Sequence, residues 1–99
     1  MYQATLSLSS EIDAYMSQSG IPSGRWYVGV TSDIEGRLFG YHKVTRPHGS
    51  WIFRKCLNAS EARDLEAAYH RVGCQGAGGG GDHRCVYIYA YAITMTTVE

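Results

Sequence analysis

Period-two patterning is sharpest near the end of the chain, where Val86, Ile88, Ala90 and Ala92 alternate with Tyr87, Tyr89 and Tyr91. This segment, from residue 86 to about 94, reads as a strand with one small apolar face and one aromatic face. Residues 25–30 and 51–56 are two further strands, the second rich in side chains that suit a pleated surface. A weaker alternation predicts a strand over residues 2–8, with Tyr2, Ala4, Leu6 and Leu8 on one side. Ser9 or Ser10 caps a short helix through Glu11, Ile12, Tyr15 and Met16 that ends near Gly20, before a turn at Ile21-Pro22-Ser23-Gly24. Ser32 with Glu35 has capping-box spacing and opens a helix from about residue 33 to 43. Gly36 and Gly40 inside it predict the close approach of another backbone. Asn58 with Glu61 repeats that spacing before a helix to about Val72. Ala62, Leu65, Tyr69 and Val72 form its inner face, and Gly73 its left-handed cap. Residues 46–49 are a loop, and six glycines between residues 73 and 81 exclude a regular element there. Together these predict one α+β domain over residues 1–99: a three- to four-stranded mixed or antiparallel sheet with about three helices.

The 99 residues suffice for one core, and nine Lys+Arg balance nine Asp+Glu. Zero net charge argues against a strong sequence-independent grip on nucleic acid, which needs clustered cations. A local patch can still form from Arg37, Lys43, Arg46, Arg54 and Lys55. Cys56, Cys74 and Cys85 form no CxxC pair and leave one thiol over, which suits reduced thiols and a cytoplasmic setting. Cys74, His83 and Cys85 match no common zinc spacing. No apolar run approaches the ~18 residues of a membrane span, and no secretory pattern stands at the start.

Trp26-Tyr27-Val28-Gly29, followed by Asp33, Arg37, Leu38 and His42, resembles the second half of the GIY-YIG nuclease signature. Glu61-Ala62-Arg63-Asp64-Leu65-Glu66 resembles that family's metal-binding helix. The resemblance covers about half of the chain, residues 25–73. It also extends to a group of small bacterial and phage-type proteins related to that superfamily. It implies a GIY-YIG-like fold and cleavage of DNA phosphodiester bonds with one Mg²⁺ or Mn²⁺. By position it makes Tyr27 the second-motif tyrosine, Arg37 the charge stabiliser and Glu66 the metal ligand. The first-motif strand is missing before Tyr27. Tyr2 from the N-terminal segment, or Tyr87 or Tyr89 from Cys85-Val86-Tyr87-Ile88-Tyr89, would replace its tyrosine. The last strand, displaced to the end of the chain, is the closer match, and Tyr87 is taken as the fourth catalytic residue.

His42, Lys43, Arg54 and Lys55 are the expected nucleic-acid contacts. On an α-helix His42 lies about 140° from Arg37, off its face. Glu66 flanks the apolar stripe, within reach of His70 and Arg63. The tyrosine stripe of Tyr87, Tyr89 and Tyr91 suits stacked bases, a protein partner or a face covered by a helix. A second reading follows from the neutral charge and missing motif. In it the chain is an inactive GIY-YIG-like binding protein, such as an anti-CRISPR-like phage inhibitor of a host nucleic-acid enzyme. A domain this small could grip a duplex as a homodimer.

Overall fold

In the computed structural model, which describes residues 2–45, 49–76 and 83–99 and side chains from residue 8 onward, three strands form one antiparallel sheet. β1 (Trp26–Thr31), β2 (Trp51–Lys55) and β3 (Tyr87–Ala92) lie in the order β1-β3-β2. The strand latest in sequence is therefore central. Its residues from Ile88 to Ala92 are all buried, as a middle strand covered on both faces requires.

Alternation sorts the core into two layers. Trp26, Val28, Ile52, Ile88, Ala90 and Ala92 face two helices, α1 (Tyr2–Ser19) and α2 (Ala59–Arg71). Tyr27, Tyr89 and Tyr91 face the other way, onto Leu38 and Val44, with Ile34, Phe39 and Trp51 around them. Each fully buried large side chain of this kind contributes about 1.5–3 kcal/mol. A short helix over Glu35–Tyr41 covers this second, aromatic face. The tyrosine stripe is thus a core face, and Tyr89 and Tyr91 are not open for stacking bases or docking a partner.

Two predicted elements change. Residues 2–8 are not a strand but the first turns of α1. Leu8, Ile12, Tyr15 and Met16 hold helical spacing and pack on the core. No breaker separates residue 8 from residue 9, so the helix extends backward without the cost of a new nucleus. The helix predicted over 33–43 is shorter, and the Ser32–Glu35 box does not cap it. Asp33 does: its Oδ1 accepts the Gly36 N–H at 3.2 Å, while its own N–H donates to Thr31 Oγ1 at 3.0 Å. The Asp33 carboxylate, not another backbone, fills the space beside Gly36. Around Gly40 nothing comes nearer than the Glu35 carbonyl, 4.0 Å from where a Cβ would stand.

The helix closes on a wide turn, His42 N–H to the Arg37 carbonyl at 2.9 Å, five residues apart. Lys43 then adopts a left-handed φ of 61° and turns the chain so that the Val44 N–H reaches the Leu38 carbonyl.

α2 forms as its sequence predicts. Asn58 accepts the Glu61 N–H at 2.8 Å, and the Glu61 carboxylate accepts the Leu57 N–H at 2.7 Å. Gly73, at φ 109°, ends it. Val72, expected on the inner face, is exposed because it lies past the last turn. Beyond it, Gln75 bonds to both Trp26 and Val28 along the outer edge of β1. His70 Nε2 donates to the Val28 carbonyl at 2.9 Å. Gly76 lies against this bond, where a Cβ would collide with the imidazole. Arg46, Pro47, His48 and the glycines of the predicted loop from residue 78 to 81 lie outside the described residues. No helix among the described residues is long and apolar enough to cross a membrane.

Candidate active site

Antiparallel pairing places Tyr27 opposite Tyr91 and Gly29 opposite Tyr89. The Tyr89 ring crosses the backbone at Gly29: a Cβ there would stand 2.5 Å from the phenolic oxygen and 2.7 Å from Cζ. The glycine of Tyr27-Val28-Gly29 is therefore what lets the central strand's phenol reach the rim of β1. Tyr27 stacks on Tyr91, with ring centroids 5.2 Å apart, and on Tyr89 at 6.4 Å.

His42 is the hub of this layer and is fully buried. Its Nδ1 lies 2.5 Å from the Val98 carbonyl, which can only accept, so Nδ1 carries the proton. Burial is the main force holding the imidazole's pKa below the ordinary value, and the Arg37 charge adds to it. The neutral ring then has a free lone pair on Nε2, which accepts from the Tyr89 hydroxyl at 2.8 Å. The Tyr91 hydroxyl donates to the same Val98 carbonyl at 3.2 Å and sits 2.9 Å from Nδ1. The Val98 N–H returns a bond to the His42 carbonyl at 2.7 Å. Backbone from the end of the chain thus fixes the tautomer of a histidine on the covering helix.

Tyr89 gathers the predicted residues. Burial pushes its hydroxyl pKa up; Tyr27 and Glu66 push the same way, and the Arg37 charge opposes them. Tyr27 from β1, Arg37 from the 35–41 helix and Glu66 from α2 therefore all act on one hydroxyl. The Tyr91 hydroxyl is also raised, chiefly by burial. Glu66 is 6% exposed, and burial raises its pKa above the usual carboxylate range while His70 and Arg63 draw it back. It forms no ion pair or hydrogen bond with a described residue. Arg37 is exposed, lies over the Tyr41 ring at 5.3 Å, and lines a groove of about 360 Å³ with Thr31, Ser32, Asp33, Gly36 and Tyr41.

The other expected site residues fall elsewhere. Tyr87 pairs with Thr31 at the far end of β3, half-buried against Phe53, with ring centroids 6.3 Å apart. Tyr89, one strand repeat further in, occupies the cluster instead. Tyr2 opens α1, not a strand. Among the expected nucleic-acid contacts, His42 is interior and cannot touch a ligand's surface. Arg54 faces α1, where its Nε donates to Glu11. Lys55, next along β2, points to the opposite face, so the two do not make one basic patch. Lys43 is exposed at its left-handed turn.

The centrality of His42 was hidden by the assumption of α-helical winding. An i→i−5 turn aligns residues five apart, as an ordinary turn aligns residues four apart. The Arg37-x₄-His42 spacing was the available signal.

No group of three or more His, Cys, Asp or Glu among the described residues could enclose a metal. Cys74 lies in the α-helical core layer and His83 on the surface. A zinc-type cage does not fit. Among the expected residues Glu66 alone would be left to hold Mg²⁺, a thin site that would rely on waters and substrate oxygens for the remaining ligands.

Comparison of the chain with family models, with curated proteins and with solved structures gives no match.

Proposed function

We propose that the chain is a metal-dependent endonuclease that hydrolyses phosphodiester bonds in DNA, with Tyr27, Arg37, Glu66 and Tyr89 at its site. The observation carrying this reading is the packing of Tyr27 and His42 against Tyr89, with the charges of Arg37 and Glu66 within electrostatic reach of its hydroxyl. The resemblance of Tyr27-Val28-Gly29, Arg37 and Glu66 to GIY-YIG nucleases supports it. So does the position of β3, whose Tyr89 lies beside β1 where a displaced first-motif strand would stand.

A water attacking phosphorus at the Arg37 groove gives its proton to the surrounding water, while Tyr89, buried and tied to His42 Nε2, holds the cluster from within. The new P–O bond forms as the opposite ester oxygen departs. Arg37, exposed at its groove, donates to the non-bridging oxygens, whose charge grows at that moment. Glu66 would hold the divalent ion, which would supply further stabilisation of negative charge on the phosphate. Tyr27, buried against Tyr89 and His42, positions both rings.

The test is nicking of supercoiled and branched DNA with Mg²⁺ or Mn²⁺. Glu66→Gln, Arg37→Ala and Tyr89→Phe should each lose activity by at least tenfold, and Tyr87→Phe should retain it. Equal nicking by all four variants would remove the reading. The second reading, a binding protein without activity, draws on the neutral chain and on the Arg54–Glu11 pair, which takes one cation out of any basic surface. A chain that binds DNA or a nuclease without cutting would favour it.

A further inference from the structure

A pocket of about 410 Å³ opens between α1, the turn at residues 20–25 and the C-terminal end of α2. Hydrogen bonds fix its walls. The Trp26 indole N–H donates to the Ile21 carbonyl at 3.2 Å, and the Ser23 hydroxyl donates to the Val72 carbonyl at 3.2 Å, tying the turn to α2. The Tyr69 hydroxyl joins α2 to α1, lying 2.7 Å from Asp13 Oδ1 and 3.2 Å from the Ser9 carbonyl. Asp13 is the only charged residue that lines the pocket. Its described partners are the hydroxyls of Tyr69 and, at 3.5 Å, Ser9; both are neutral donors, and it forms no ion pair with a described residue. Its charge reaches the pocket floor. Burial first, and then Asp13, raise the pKa of the Cys74 thiol and of the Tyr69 hydroxyl, and no cation figures among the groups acting on either. Arg25 and Arg71, exposed neighbours in sequence, are not among the lining residues. Residues 1–7 and 77–82, whose side chains lie outside the description, include no Lys, Arg or His. Arg46 and His48 belong to a connection that follows Val44, which packs in the aromatic layer on the other face of the sheet.

We propose that this pocket binds a small primary ammonium compound with a compact apolar body, its ammonium on Asp13 and Ser17 and its body against Met16, Ile21 and Val72. An ammonium brings three donors and no acceptor, and an ionised carboxylate accepts at about four sites, so Asp13 keeps room beyond its bond from Tyr69. Ser17, one helical turn on, presents its hydroxyl on the same face of α1. The uncompensated Asp13 charge selects the sign of the ligand, because a carboxylate or phosphate brought into the pocket would meet it without a cation between them. The volume falls in the lower part of the range for small-molecule sites, about 300–1,000 Å³, and apolar walls with a few fixed polar groups are their usual make-up. Met16, an unbranched thioether, adapts to the shape of the body. Enclosure by two helices and a turn suits a free compact molecule better than a lysine, which brings its own backbone to the mouth. The pocket shares no residue with the Arg37 groove and does not rest on the nuclease reading.

The experiment follows the indole N–H resonances of Trp26 and Trp51 during titration with phenethylammonium, phenethyl alcohol and phenylacetate, which share a ring and differ in charge. Expected is a saturable shift of Trp26, with Trp51 on the other face unmoved. The ammonium should bind at least about threefold tighter than the alcohol, as a partly exposed charge pair implies, and phenylacetate should bind weakest. Asp13→Asn keeps an oxygen to accept from Tyr69 and should erase the preference for ammonium over alcohol. Val72→Ser, at a position 66% exposed, should weaken both while unfolding stays cooperative. Equal affinity for ammonium and alcohol would show an apolar pocket without charge selection and overturn the proposal. So would a preference that survives Asp13→Asn, tightest binding of phenylacetate, or no saturable shift of Trp26. Capped Gly-Lys-Gly binding as tightly as phenethylammonium would overturn the choice of a compact body. None of these readouts involves DNA, so this site and the nuclease reading can fail separately.

Discussion

Substituting Gly29→Ala tests the packing on which the Tyr89 cluster depends. The added methyl would lie 2.5 Å from the Tyr89 oxygen and 2.7 Å from Cζ, well inside contact distance. The ring has little room to yield. Tyr89 is 3% exposed, and its hydroxyl is tied to His42 at 2.8 Å. Overpacking of a closed core costs about 1–3 kcal/mol. Breaking the bond to a buried imidazole adds about 1–3 kcal/mol. Both rarely apply in full together, so about 2–4 kcal/mol is expected, read as a lowered urea midpoint at unchanged slope. The control is Tyr89→Leu, which removes Cζ and the hydroxyl. In that background Gly29→Ala should cost less than about 0.5 kcal/mol, a coupling above about 1.5 kcal/mol across the cycle. A Gly29→Ala protein as stable as wild type, or equal costs in both backgrounds, would refute the packing.

Removing Val98 and Glu99 should free His42 Nδ1, and imidazole ¹⁵N shifts should then show mixed tautomers where the intact chain shows one. His42 has a folded pKa below its unfolded value, so the unfolded chain binds the proton first. Its contribution to stability is complete above about pH 6.5 and is lost as pH falls through that value toward the folded pKa; a His42→Gln protein should lack that part of the pH dependence of the urea midpoint. Lys43→Gly should stabilise by about 1 kcal/mol, because the left-handed turn strains a residue with a Cβ, and a higher thermal midpoint checks it. Burial pushes the Cys56 thiol up to about 11, so a thiol reagent at pH 8 should spare Cys56 until the protein unfolds, while half-buried Cys85 reacts first.

The division between what sequence and tertiary structure decide follows the range of the forces involved. α2 was legible because its signals are local: Asn58 and Glu61 cap one turn, and Gly73 relieves one backbone position. β3 was legible as a strand, since period two is a property of a single segment. Its place at the centre of the sheet was a matter of pairing. So was the identity of the tyrosine that reaches β1, because Tyr87 and Tyr89 share a face and only register separates them. Over residues 2–8 a weak alternation competes with an extending helix, and the helix prevails. His42 needed a wide turn that the Ser32–Glu35 spacing did not foretell, and a carbonyl 56 residues away in sequence to set its proton. Residue types and short spacings could thus name Tyr27, Arg37 and Glu66. Only long-range packing could set Tyr27 and His42 against Tyr89, because the burial and pairing that place them belong to the assembled sheet and to no segment of it.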